Sequence, residues 1–466
     1  MTGRQRDLSG LVAERVASSA MAACGAAVVR GVESETYACG DAGGGVPVST
    51  STLFHICSCS KAFTAAAFAR LVEQGKASWD MPIHEVLPEF VLSDSAIMRS
   101  CTMRDLASMR LGLSRDGIAE WGFRPDAPVL ARLSRAAGMA FDAPFRDHFS
   151  YSNMGYIALA VATARLAGMD YARCMQELVF SPLGLKHATL NPTSDAAKPH
   201  MPLANGMQSV PELTGDNSQG SARVHLCAQD AGTWLSFLLR AARGDEGSTI
   251  QQAFQPQIAV YPVVDFNNGL PVALAYGFGW HVSTFRGRRL FNHGGGGRGW
   301  RAMALLDPEC DTAVMVFASH EGVGVEALAL TLLDQACGET PEDWDGLLSV
   351  RAKRETKARN AAMDLREKPA EGSVDGSGVR GVYANTVTGR VHIETDRNAL
   401  HFRAEDAPAF NARLAPLSDG VLKFEFENPA MHTMPNDPLF QARFLRRPGG
   451  RVALKTTYFG TLEKTP

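Results

Sequence analysis

Short strand-like runs bracket a long helical middle, and that placement limits the fold more than any other feature of the chain. After a helical pattern at residues 8–22, residues 25–30 and 35–39 read as two strands meeting at a turn. Four more strands are predicted at 276–284, 289–293, 302–306 and 312–318, the last two joined by a turn at Asp307-Pro308-Glu309. Between the two blocks lie an apolar helix beginning near Ser58, a short helix at 103–109 and a second apolar helix at 154–166 ended by Gly168. A covering helix is expected at 326–337. Strands from both ends with helices between them predict an α+β domain, an antiparallel sheet flanked by helices plus a helical lobe. Residues 110–150, with Trp121, Pro125, Pro128 and Pro144, read as a lid or a wall of a cleft.

The pattern changes after Val350. A charged, apolar-poor stretch carries Arg351, Lys353, Arg354, Lys357 and Arg359, interrupted by Glu355, and reads as a solvated helix or linker; Gly372, Gly376 and Gly378 follow. Beyond it Leu422, Phe424 and Phe426 alternate, as do Phe440, Ala442 and Phe444, and Pro448-Gly449-Gly450 turns into Val452 and Leu454. The expected organisation is a domain at 1–345, a linker at 346–378 and a small closed or nearly closed β-barrel at 379–466.

Composition narrows the function. The chain has 466 residues, 45% hydrophobic and 20% charged, with a formal net charge of −3, which gives no reason to expect a nucleic-acid or anionic-membrane partner. Nine cysteines, an odd number, make no disulfide framework and suit a reducing compartment. No C-x-x-C, H-E-x-x-H or clustered Cys/His spacing calls for a metal, and no cofactor is expected. Arg4, Arg6, Asp7, Glu14 and Arg15 precede any apolar run, a poor export signal, so the expected location is the cytoplasm.

The chemistry centres on Ser58-Cys59-Ser60-Lys61. On a helix, residues three apart share a face, which places the Lys61 amine near the Ser58 hydroxyl, and the exposed N–H groups at the helix start favour an anion beside Ser58. An isolated S-x-x-K is more simply a capping serine with a solvated lysine. It occurs once, however, and two further motifs follow in order: Tyr151-Ser152-Asn153 before the second apolar helix, and His293-Gly294-Gly295 opening the glycine run 294–297. No G-K-[ST] follows those glycines, so they do not make a phosphate loop. Cys57 and Cys59 read as packed neighbours of Ser58.

This ordered set resembles the serine β-lactamase and penicillin-binding-protein family, in its class C-like branch, where Y-x-N and H-x-G take the second and third places. Flanking residues extend the resemblance: Phe54 and Ile56, Phe63-Thr64, Phe149, Gly155-Tyr156, Pro182-Leu183-Gly184, Gly277-Phe278-Gly279-Trp280 and Gly299-Trp300. The last 90 or so residues resemble the lipocalin-like domain appended to some members, with Gly381-Val382-Tyr383-Ala384-Asn385 near its start.

The resemblance implies an acyl-enzyme at Ser58, with Lys61 or Tyr151 as the base. It further implies that Asn153 orients Lys61 and holds a substrate amide, and that His293 hydrogen-bonds Tyr151 or the substrate. The amides of Ser58 and Gly296 would form the oxyanion hole. Gly294, Gly295 and Arg298 would lie along the substrate, Arg298 or Arg301 meeting a carboxylate. Met109 stands where many relatives have histidine, and Cys57 where glycine is common. The implied substrates are amides or thioesters of peptides containing D-residues, as for D-aminopeptidases, D-Ala-D-Ala carboxypeptidases and thioesterase-like peptide cyclases. An esterase or β-lactamase with the same machinery, or a non-catalytic binding protein, are the competing readings.

Overall fold

The computed structural model describes residues 8–19, 21–114, 124–203, 205–245, 249–260, 269–320, 322–367, 378–396, 399–418, 420–431 and 440–465. The expectations for Arg4, Arg6, Asp7, Trp121, Gly372 and Gly376 fall outside these residues.

Helix α1 (Leu8–Ser18) leads into β1 (Ala23–Arg30) and β2 (Glu33–Gly40). The sheet is completed from the far end of the domain by β3 (Ile258–Ala259), β4 (Val272–Tyr276), β5 (His281–Phe285), β6 (Arg288–Gly297), β7 (Trp300–Asp307) and β8 (Thr312–Ser319). The order is β2-β1-β8-β7-β6-β5-β4-β3, antiparallel throughout. The central strands read as continuous apolar runs because both faces are covered. Ala27 and Val29 of β1 and Ala313, Met315 and Phe317 of β8 join one core, while Cys24, Ala26, Val28, Val314 and Val316 join the other. The first face receives α2 (Ser60–Glu73), α3 (Asn153–Ala167) and α4 (Ala228–Arg243); α1 and α5 (Gly324–Ala336) cover the second. Helix α2 is almost wholly buried, and Phe63 stacks on Trp234 with ring centroids 4.1 Å apart.

The strand predicted at 276–284 is two strands. Gly277 to Trp280 form a tight turn between β4 and β5, with the Gly277 amide donating to the Trp280 carbonyl at 2.8 Å. Gly279 adopts φ +82, and a Cβ there would lie 2.9 Å from the backbone of Ala62, so the turn seats directly on α2. The basic run lies on a long helix, α6 (Trp344–Met363), of which only Trp344 is buried.

One cysteine pair departs from the sequence expectation. Cys310, in the β7–β8 turn, and Cys337, after α5, are joined as a disulfide with Cα atoms 5.9 Å apart, while the other seven cysteines are free. Asp307 converges on the same pair, but sulfurs in a disulfide offer no thiolate, and its carboxylate takes hydrogen bonds from Cys310 N and Arg288. Among the described residues no helix is long and apolar enough to cross a membrane.

The C-terminal region is a closed eight-stranded barrel: β9 (Gly381–Asn385), β10 (Gly389–Asp396), β11 (Ala399–Ala404), β12 (Ala412–Ser418), β13 (Val421–Phe426), β14 (Gln441–Arg446), β15 (Val452–Thr456) and β16 (Thr461–Lys464). Each strand pairs with the next, and β9 pairs with β16 to close the ring. Inward alternation fills the interior with Phe402, Phe424, Phe426, Phe440 and Phe459. The barrel docks on two stretches of the first domain. Arg135 pairs with Asp406, Ala127 and Leu213 pack against the barrel core, and a Cβ on Gly138 would collide with Thr386.

Candidate active site

The chain reaches Ser58 through a bend. Cys57 adopts φ +49, a left-handed conformation that costs a side-chain-bearing residue roughly 1 kcal/mol or more. This is the position where the resembled family commonly has glycine, so the substitution carries a backbone cost. Residues Cys57–Cys59 then form a single 3₁₀ turn ahead of α2, in which Cys59 N reaches back to the Ile56 carbonyl at 3.2 Å, and Ser58 lies in this opening turn. The bend is held from both sides. Cys57 Sγ lies 3.3 Å from His55 Nδ1, and β6 crosses so closely that a Cβ on Gly295 would lie 2.3 Å from the Ile56 carbonyl. Glycine is therefore required at 295, whereas at 294 an added Cβ meets nothing nearer than 3.7 Å.

Lys61 is fully buried and donates to Asn153 Oδ1 at 2.9 Å and to the Ser221 carbonyl at 2.7 Å, and its Nζ lies 3.1 Å from Ser58 Oγ. The Tyr151 hydroxyl lies 2.7 Å from Ser58 Oγ as well, and its ring centroid is 4.8 Å from Lys61 Nζ. Four of the predicted residues thus meet around one hydroxyl. Ser152 caps α3 by accepting from Gly155 N, which leaves the neighbouring Asn153 amide to face Lys61 instead of capping the helix.

The partners of Lys61 fix what its nitrogen can do. Asn153 Oδ1 and the Ser221 carbonyl only accept, so two N–H bonds point at them in either charge state. The third position faces Ser58. As an ammonium it donates there; as an amine it presents its lone pair to the serine proton, and no side chain need turn for the transfer.

The resemblance implied that His293 bonds Tyr151 or the substrate. His293 Nδ1 lies 2.7 Å from the Gly294 carbonyl and its Nε2 lies 3.1 Å from the Tyr276 hydroxyl, so the ring bonds Tyr276 rather than Tyr151. A carbonyl cannot donate, which places the ring proton on Nδ1 and makes Nε2 the acceptor from Tyr276. Burial, helped by His281 and the Lys61 charge, holds His293 well below the usual histidine range, and burial pushes the Tyr276 phenol well up. Both are neutral. The His293 and Tyr151 rings lie beside each other, centroids 6.5 Å apart.

The remaining predicted groups line β6. Residues 293–297 pair with β7, while β5 pairs only as far as Asn292, so among the described strands the other edge of this stretch is open beside Ser58. Gly296 lies opposite Arg301, whose guanidinium reaches the Gly322 carbonyl and would meet a Cβ on Gly296. Arg298 sits half-buried in the β6–β7 turn. The flanking thiols are not nucleophiles: burial raises Cys57 well above the thiol range and pushes Cys59 up to about 12.

Two contributors, Ser221 and Tyr276, escaped the sequence reading, and Met109, singled out there only as a departure from the family's histidine, makes contacts that the sequence did not reveal. Ser221 acts through its backbone carbonyl, which no residue pattern reveals. Tyr276 closes a strand and holds His293. Met109, at φ +59, accepts Ser150 N on its carbonyl at 2.8 Å and Ser152 N on its sulfur at 3.1 Å, clamping both neighbours of Tyr151.

Comparison with known proteins identifies the family. An unguisins hydrolase of Aspergillus campestris is 26% identical over 325 residues, 64% of this chain and 59% of that protein. A D-aminopeptidase of Cereibacter sphaeroides is 28% identical over 316 residues, 64% of this chain and 57% of the relative. The chain therefore matches less than two thirds of the length of these relatives. The octameric penicillin-binding protein homologue from Pyrococcus abyssi superposes over 98% of this chain and 99% of its own with a TM-score of 0.62 at 18% identity, a likeness of fold that includes the barrel. The beta-lactamase family model matches residues 8–336, and the chain belongs to that family.

Proposed function

We propose that this protein is a serine acyl hydrolase that forms an acyl-enzyme at Ser58 on amides of peptides containing D-residues. The observation that carries the reading is that Ser58 Oγ lies within hydrogen-bond reach of two separate proton-transfer groups, Lys61 at 3.1 Å and Tyr151 at 2.7 Å. In the proposed reaction Ser58 Oγ bonds to the substrate carbonyl carbon and its proton passes to Lys61 Nζ or Tyr151. The carbonyl oxygen, now anionic, is held by the amides of Ser58 and Gly296, a pair of donors of which each contributes about 3 kcal/mol. The C–N bond then breaks as the leaving amine takes a proton from Tyr151, and water cleaves the ester on Ser58 by the same transfers in reverse.

The substrate class follows from relatives named as a D-aminopeptidase and as an unguisins hydrolase. Seven free cysteines suit action in a reducing compartment such as the cytoplasm, whereas the Cys310–Cys337 disulfide suits an oxidising one. A panel of matched D- and L-aminoacyl amides and esters tests the reading, assayed with the wild type and with Tyr151→Phe. We expect preference for D-substrates, and a loss on Tyr151→Phe of about 10²-fold or more on amides with a smaller loss on esters, which need less leaving-group protonation. Equal turnover of both stereoisomers rejects the substrate class, and equal losses on amide and ester reject the role of Tyr151.

A further inference from the structure

The Ser221 carbonyl that holds Lys61 belongs to a loop gripped from two directions. On one side α2 grips it: Ser60 Oγ accepts from Val224 N at 3.0 Å, and Thr64 Oγ1 donates to the Gly220 carbonyl at 2.8 Å. On the other side lies a buried polar cluster outside the motifs of the family. Arg132 is 4% exposed and Asn217 1%. Arg132 Nη1 lies 2.8 Å from Ser218 Oγ and 3.3 Å from both the carbonyl and the side-chain oxygen of Asn217. The Asn217 amide nitrogen donates in turn to the carbonyls of Arg124 and Ala127. Ser221 Oγ closes the loop by donating to the Ser218 carbonyl at 3.0 Å, which also accepts from Ala222 N.

The same short segment is where the barrel docks. Arg124 N donates to the Asp406 carbonyl at 2.7 Å, Arg135 pairs with the Asp406 carboxylate, and Ala127 packs on the barrel core. A path of hydrogen bonds therefore runs from the Asp406 carbonyl in the barrel through Arg124 to Asn217, crosses by way of Arg132 to Ser218, and continues through Ser221 to Lys61. A buried arginine is retained at such cost when its fork fixes several acceptors at once.

We propose that Arg132 and Asn217 are positioning residues that set the Lys61 nitrogen against Ser58, and that the docked barrel anchors them. The proposal rests on the reading of Lys61 as a proton-transfer group for Ser58. The barrel thereby contributes to acylation without supplying, among its described residues, a group to the reacting atoms.

The test uses the full chain and a fluorophosphonate probe, measuring the saturating acylation rate, the half-saturation concentration and the pH profile, normalised to folded protein by final label stoichiometry. Arg132→Met is expected to slow acylation about tenfold with half-saturation unchanged, and to move the acid limb of the profile, because a displaced lysine takes its proton at a different pH. Ser218→Ala removes one acceptor alone and serves where Arg132→Met does not fold; about a threefold loss is expected. Asp406→Asn weakens the Arg135 ion pair that seats the Asp406 carbonyl on Arg124, so it is expected to fall in the same direction, and the Arg132→Met/Asp406→Asn pair to fall less than the product of the two, since both loosen the hold on Ser221. Acylation rates and pH profiles that superpose on the wild type in folded Ser218→Ala overturn the positioning role, and a multiplicative double variant overturns the anchoring by the barrel. Ser58→Ala is the control: labelling that persists in it defeats the underlying reading instead.

Discussion

The catalytic region and the barrel bury different things. The barrel interior is mostly aromatic rings, with Phe402 to Phe424 at 5.0 Å and Phe426 to Phe440 at 4.9 Å between centroids, and among the described residues Thr388, Gln441, Arg443 and Thr456 are its buried polar ones. The catalytic region buries Lys61, Asp105, Arg132, Asn153 and His293 as well as its apolar core, and bends its backbone left-handed at Cys57 and Met109. An apolar interior asks only for volume and period. A polar interior requires a partner for each atom, so its side chains are held in single arrangements, and its stability responds to protonation where the barrel core responds to packing.

The largest expected contrast is with acid. Burial holds His55, His225, His281, His293 and His320, all in the catalytic region, below the ordinary histidine value, with His281 and His320 lowered to about 4. In the unfolded chain these rings gain protons as pH falls through about 6.5, while in the fold they resist, His281 and His320 until about 4, so stability is lost as pH falls below about 6.5 and retained above it. Urea unfolding of the catalytic region, followed by tryptophan fluorescence, should weaken steadily between pH 7 and pH 5; a flat profile contradicts the burial of neutral histidines. Next in size, Phe459→Ala should cost the barrel about 3–5 kcal/mol, read from denaturant unfolding, because its ring packs on Phe402, Phe410 and Phe424. The smallest effect is at Cys57, where Cys57→Gly should be more stable than Cys57→Ala by about 1 kcal/mol, the reverse of the usual ranking, since only glycine accepts φ +49 without strain. A lower melting temperature for the glycine variant would contradict the strain assigned to that bend.

The two regions also differed in how far the sequence revealed them. Alternation at Leu422, Phe424 and Phe426 was enough to announce a barrel, because β13 (Val421–Phe426) has one wet and one dry face. The strands at β7 and β8 and the helices α3 and α5 lay within a few residues of their predicted bounds. The turn at Gly277 to Trp280 was missed because its apolar residues hide a break whose reason, contact with Ala62, is tertiary. In the site, Ser58, Lys61, Tyr151 and Asn153 were readable as an ordered set of side chains, and they meet. The partner of His293 was not readable, since Tyr276 reaches it across a strand pair, and neither was Ser221, which contributes a carbonyl that any residue carries. Cys310 and Cys337, 27 residues apart, gave no sign of pairing, which depends on how α5 returns along the sheet.

The most direct measurement is peptide mass mapping of the intact protein after reaction with a β-lactam or a fluorophosphonate. One adduct per chain, on the peptide that contains Ser58 and absent from Ser58→Ala, is the predicted result. An adduct on any other residue, or one that persists in Ser58→Ala, would contradict the assignment of Ser58 as the acylated nucleophile.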